Sequence, residues 1–76
     1  MKKTNIAIEA TEEPLSPRET EVLTMASTGL GSGEVARSLF ISKRTVDFHL
    51  ASAYRKLGAP NRICAIIAAK RLEYIP

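Results

Sequence analysis

Residues 41–50 read ISKRTVDFHL. Ser42 puts a side-chain oxygen directly before a run with helical spacing, where a helix N-cap belongs. Lys43, Arg44 and Thr45 follow in what would be the first turn. A helix N-terminus carries free backbone N–H groups and the positive end of the helix dipole. Two cations and a hydroxyl at that end suit contact with a polyanion. Asp47, one turn further on, does not suit it, and the stretch raises the question of what that carboxylate does.

Working outward, Val46, Leu50, Ala53 and Leu57 recur at helical spacing and give one core-facing stripe. The opposite stripe reads Arg44, Asp47, Phe48, Ala51 and Arg55. Gly58 supplies the stop. The pattern predicts a helix over residues 43–57. On the other side, Val35, Ala36 and Leu39 mark a short helix over about residues 32–40, capped by Gly31 or Ser32. Only Phe40-Ile41-Ser42 would join the two, which is the spacing of a helix-turn-helix. In that motif the second helix meets the major groove with its N-terminus first.

Two more helices frame this pair. Upstream, Ser16 is an N-cap, Pro17 takes the first helical position and Glu19 closes a capping box back to Ser16. Val22, Leu23 and Ala26 give its stripe, and Gly29 ends it. Downstream, Asn61 caps a helix over residues 62–72. One face of it reads Ala65, Ile66, Ala69 and Leu72; another reads Cys64, Ile67, Ala68 and Arg71. Two apolar faces in a small domain call for cover on both sides. Residues 1–14 hold only a weak alternation at Ile6 and Ile8 and are expected to be a flexible tail or linker. The remaining residues, 15–76, form the domain. The fold class is all-α with four helices.

The chain has 76 residues, enough for one small domain. No apolar run of about 18 residues exists to span a membrane, and the N-terminus lacks the apolar core of a signal peptide. Cys64 is the single cysteine, so neither an intramolecular disulfide nor a multi-cysteine zinc site can form. A cytoplasmic setting fits a lone free thiol. Net charge is +3, unevenly spread. Residues 1–36 sum to −3, whereas residues 37–71 carry eight cations against Asp47 alone, +7. That half-chain suits a polyanion, although a soluble helical surface would carry charge as well. His49 has no second histidine and no carboxylate or thiol at ligand spacing, which speaks against a metal. Enzyme readings lack parts: there is no nucleophile–base pair, no paired acids and no phosphate loop. No cofactor is expected.

Three segments, LSPRETEVLTMASTGL, EVARSLFISKRTVDFHL and YRKLGAPNRICAI, together resemble the LuxR/GerE-type DNA-binding domain of bacterial transcription regulators. The likeness covers roughly residues 15–72 without gaps. It implies a four-helix helix-turn-helix domain that binds double-stranded DNA through the third helix and dimerises through the fourth, weakly without DNA. The expected DNA-facing set is Ser42, Lys43, Arg44, Thr45, Asp47, Phe48, His49, Ala51, Arg55 and Lys56. Phe48 would touch a thymine methyl unless it is an incidental exposed aromatic. The family pattern has His49 packed between helices near the DNA backbone. The expected dimer set is Cys64, Ile67, Ala68 and Arg71, with Lys70 and Arg71 otherwise a solvated helix end. RNA polymerase is a further partner of such a regulator, and the bacterial cytoplasm and nucleoid its place. Met1 and the short tail fit a free-standing domain as well as the C-terminal part of a longer protein.

Three departures from the family pattern stand out. Gly31-Ser32-Gly33 replaces the usual Ser-Asn-Lys, which removes a side chain expected to face phosphate. Asp47 replaces the usual Lys after Thr-Val, and Ala53 stands where a larger aliphatic residue is usual. Asp47 could order a cation such as Arg44, accept from a cytosine amino group, or do neither. Two alternatives remain: a sigma-factor region-four module, or a protein-interaction module or inhibitor acting through residues 62–72. Salt-dependent binding to duplex DNA separates the second from a DNA-binding protein.

Overall fold

A computed structural model describes residues 13–76. The expected tail, with its alternation at Ile6 and Ile8, lies outside the described residues up to residue 12. The described chain forms four helices: α1 (Pro17–Ser27), α2 (Ser32–Leu39), α3 (Lys43–Leu57) and α4 (Arg62–Arg71). None is long and apolar enough to cross a membrane.

Each start follows from a cap. Ser16 accepts from the Glu19 amide at 3.1 Å while Glu19 Oε1 accepts from the Ser16 amide at 2.9 Å, the reciprocal capping box. At α2 the cap is Gly31, which has no side chain, so Glu34 reaches back alone to the Gly31 amide at 2.9 Å. Ser42 and Asn61 cap α3 and α4 through their side-chain oxygens.

The ends are less uniform. Gly58 takes the left-handed conformation after α3, with φ of 66°. After α2 that conformation falls on Phe40 (φ 59°), and after α4 on Glu73 (φ 65°). The Ile41 amide donates back to the Ala36 carbonyl at 3.1 Å, which turns the chain sharply into Ser42 and α3.

α3 is the centre of the fold and packs on all three other helices. Its stripe Val46, Leu50, Ala53 and Leu57 is buried throughout. It meets Val22, Leu23 and Ala26 of α1, Val35 and Ala36 of α2, and Ala65 and Ala69 of α4 in one cluster. The small Ala53 is fully buried, and the half-buried Tyr54 packs against the same core.

α4 departs from expectation at its end. Leu72, expected on the core face, is 59% exposed. α4 stops at Arg71, and the Tyr74 amide bonds back to the Ala69 carbonyl at 2.8 Å. That reversal carries Ile75 into the core, where it is 4% exposed. The two-faced apolar helix is covered on one side only: Ala65 and Ala69 are buried, while Ile63, Cys64 and Ile67 are exposed.

Candidate nucleic-acid interface

Along most of its length α3 presents its outer stripe to solvent. Lys43, Arg44, Asp47, Phe48, Ala51 and Arg55 are all exposed. The burial of Val46, Leu50, Ala53 and Leu57 sets this orientation, because residues three and four apart share a helix face. Ser42 Oγ accepts from the Thr45 amide at 3.0 Å and lies 2.8 Å from the Thr45 hydroxyl. The cap thus fixes the first turn, where Lys43 and Arg44 add full charge to the positive end of the dipole. Phe48 and the half-buried His49 meet edge to face, ring centroids 5.9 Å apart.

Asp47 is engaged on both oxygens. Ser32 Oγ donates to Oδ1 at 2.7 Å and Lys43 Nζ donates to Oδ2 at 3.0 Å. The Ser32 hydroxyl and the Lys43 ammonium hold the carboxyl below the usual carboxylate range, with further attraction from Arg62. The cation that Asp47 orders is therefore Lys43, one turn back, and not Arg44. Nothing in the sequence announces the Ser32 contact, which joins residues 15 apart. There Ser32 reads only as a cap, within a run that lacks a phosphate-facing side chain. In the structure Gly31 is the cap and Ser32 ties α2 to α3.

Lys56 stands apart from its neighbours in the expected DNA-facing set. Its side chain is 13% exposed, and Nζ lies 2.9 Å from Glu19 Oε1, whose side chain is 7% exposed. It also donates to the Pro14 carbonyl at 3.3 Å. Ser52 Oγ donates to Glu19 Oε2 at 2.6 Å. Burial alone would raise the Glu19 carboxyl; the Ser52 hydroxyl, the Ser16 amide and the Lys56 ammonium outweigh it and lower it to about 2. Lys56 therefore ties α1 to α3 from within. Arg55 does lie on the open stripe, within 3.3 Å of Glu13 Oε1. Glu13 and Pro14, assigned to the tail on sequence, thus both touch α3.

On α4, Cys64, Ile67 and Arg71 are exposed and Ala68 is half-buried, so the four expected dimer residues share an open face. Ile63 joins that face, four residues before Ile67. That spacing is a helical one, so the signal for Ile63 is present in the sequence although the expected dimer set does not include it. Arg62 serves the fold instead. Its Nη1 donates to the Leu30 carbonyl at 3.0 Å and fixes the start of α4 to the α1–α2 loop.

Residues 13–69 match the family model described as bacterial regulatory proteins, luxR family. The chain belongs to the luxR family. The sigma-factor reading falls with that match. Among curated relatives, the transcriptional activator protein BjaR1 of Bradyrhizobium diazoefficiens is 48% identical over 61 residues, covering 80% of this chain and 25% of BjaR1. The luxR-family chain thus spans about a quarter of that relative's length. The solved structure of the transcription factor GerE superposes with a TM-score of 0.78 at 29% identity, covering 82% of this chain and 92% of GerE. A Vibrio cholera VqmA–ligand–DNA complex superposes with a TM-score of 0.75 at 31% identity, covering 86% of this chain and 29% of VqmA. These likenesses extend across the luxR-type helix-turn-helix formed here by α2 and α3.

Proposed function

We propose that this chain binds double-stranded DNA with sequence preference, as the reading module of a transcription regulator. α3 enters the major groove, and the open face of α4 pairs two copies. The observation that carries the reading is the outer stripe of α3. Its inner stripe is fully used by the core, and its outer stripe begins at a capped, cation-bearing N-terminus. The fold likeness to a protein solved with DNA supports it.

Arg44 and Arg55 meet phosphates, while Ala51 leaves room for the helix to approach the bases. Phe48 offers an apolar surface to a thymine methyl. The test is duplex binding followed by fluorescence anisotropy across a salt series. Two or three neutralised phosphates per subunit give a slope of log affinity on log salt of about −2 to −3 for each bound subunit. A slope near zero overturns the reading and leaves the open face of α4 as the working surface, hence a protein-binding module.

A further inference from the structure

Two residues that stand far apart in the sequence, Ser32 and Asp47, are bonded to each other. Ser32 opens α2, Asp47 lies on the outer stripe of α3, and 2.7 Å separates Ser32 Oγ from Asp47 Oδ1. Lys43 Nζ sits 3.0 Å from the other oxygen. The result is a fixed donor and acceptor side by side, one turn apart on the helix face that would meet the bases.

The rest of the stripe offers nothing comparable. Arg44 and Arg55 only donate, and Phe48 and Ala51 have no side-chain hydrogen-bonding group. The Ser42 and Thr45 hydroxyls are turned on each other at 2.8 Å. Asp47 is the single acid between residues 37 and 71. Each carboxylate oxygen carries two lone pairs. Ser32 and Lys43 occupy one on each, which leaves one on each open.

We propose that the Lys43–Asp47 pair, aimed by Ser32, reads one G·C base pair per bound subunit. Asp47 accepts from the cytosine N4 amino group, and Lys43 donates to guanine O6 or N7. The proposal rests on the DNA-binding reading above. In the major groove a G·C pair presents two adjacent acceptors, N7 and O6, next to one donor, N4. An ion pair matches that order, with the ammonium over the acceptors and the carboxylate over the donor. Adenine also offers an amino group, but it lies between the acceptors N7 and thymine O4. Both would repel a carboxylate.

Ser32 matters because an exposed aspartate among phosphates would otherwise swing away from them. Holding its rotamer in the free protein removes an ordering cost from binding. A carboxylate near DNA also penalises every site that lacks a donor, so it serves discrimination more than affinity.

The experiment selects bound duplexes from a random library, then titrates the selected site and its single-base variants, with a melting curve for each protein. The parent should prefer cytosine at one position by roughly 5- to 150-fold over any other base. Asp47→Asn should move that preference to adenine, since a carboxamide both accepts from N6 and donates to N7. Asp47→Ala should lose the preference and bind random duplex more tightly. Ser32→Ala should keep cytosine with several-fold weaker discrimination. If Asp47→Ala melts lower but selects the parent's consensus at every position, Asp47 is only a clamp between α2 and α3 and the proposal is overturned. A parent that binds no duplex in a salt-dependent way overturns the DNA-binding reading on which the proposal stands.

Discussion

Glu19 Oε1 closes the cap on the Ser16 amide and accepts from Lys56, while Oε2 accepts from Ser52. The capping box is legible in the sequence, because Ser16 and Glu19 stand at its fixed spacing. The second role is not, since it joins residues 37 apart. Lys56 next to Arg55 reads as one more cation in a basic run, yet their neighbouring positions on α3 point into different surroundings. The consequence is a pH dependence with a definite sign. The Glu19 carboxyl lies at about 2 in the folded chain, below its ordinary 4.5. A lowered value adds stability that is complete above the unfolded value and is lost as pH falls from about 4.5 through about 2. The linked free energy is on the order of 3 kcal/mol. Glu19→Gln should therefore cost about 2–4 kcal/mol at neutral pH, partly by leaving the Lys56 ammonium enclosed without its counter-charge. Urea midpoints taken from pH 7 to pH 2.5 should bring the parent and variant curves together as the acid range is reached. Parallel curves would mean that Glu19 does not carry the acid sensitivity. Lys56→Met should be destabilising too, yet leave the salt slope of DNA binding unchanged, because Lys56 faces α1 and not the open stripe.

At the scale of the element, starts are more legible than ends. N-caps are announced by a few side-chain types, and Ser16, Ser42 and Asn61 all accept the expected amides. Ends are announced by glycine when the chain uses one, as at Gly58. Phe40 and Glu73 take the same left-handed conformation without that signal. Periodicity alone therefore carries α4 one residue too far and gives Leu72 the core place that Ile75 occupies. A side chain in this conformation costs roughly 1–2 kcal/mol relative to the right-handed region. Glu73 adds a negative charge at the negative end of a helix dipole. Glu73→Gly should raise stability by about 0.5–1 kcal/mol after the extra chain freedom of glycine is counted, which is several degrees in melting temperature. Gly58→Ala should do the reverse, by about 1 kcal/mol. Phe40 carries the same strain while its side chain is 93% exposed, so packing within the described chain does not offset it. Phe40→Asn should melt higher than the parent, because asparagine tolerates the left-handed region better. A lower melting point for Phe40→Asn would show that the aromatic side chain contributes something in the folded state that its exposure hides.

For the whole molecule, the charge asymmetry and the buried stripe of α3 together orient the fold. The cations gather in residues 37–71, and the core consumes one side of the helix on which several of them stand. That much can be read from the sequence, as can the helix order. The open face of α4 is harder, since two apolar faces on one helix do not say which of them the domain covers. Packing decides it: Ala65 and Ala69 are buried in the core with Ile66 packed beside them, and Ile63 and Ile67 are left outside. An exposed apolar strip one helix wide is too small for a tight free dimer, because stable interfaces bury about 800 Å² on each partner. Pairing on DNA would add the cost-sharing of a common duplex, with recognition helices in successive major grooves roughly 34–36 Å apart. Ile67 is the position that tests this arrangement, being 50% exposed and central in the strip. Ile67→Glu should leave helix content and melting temperature near the parent's, within about 0.5 kcal/mol, as surface changes do. Across a two-fold axis it would set two carboxylates against each other in an apolar patch. Binding to a duplex with two half-sites should then lose its cooperativity, while binding to a single half-site survives at the parent's strength. A cooperative Ile67→Glu variant would move the pairing surface elsewhere, whereas an unfolded one would put Ile67 in the core, contrary to its exposure.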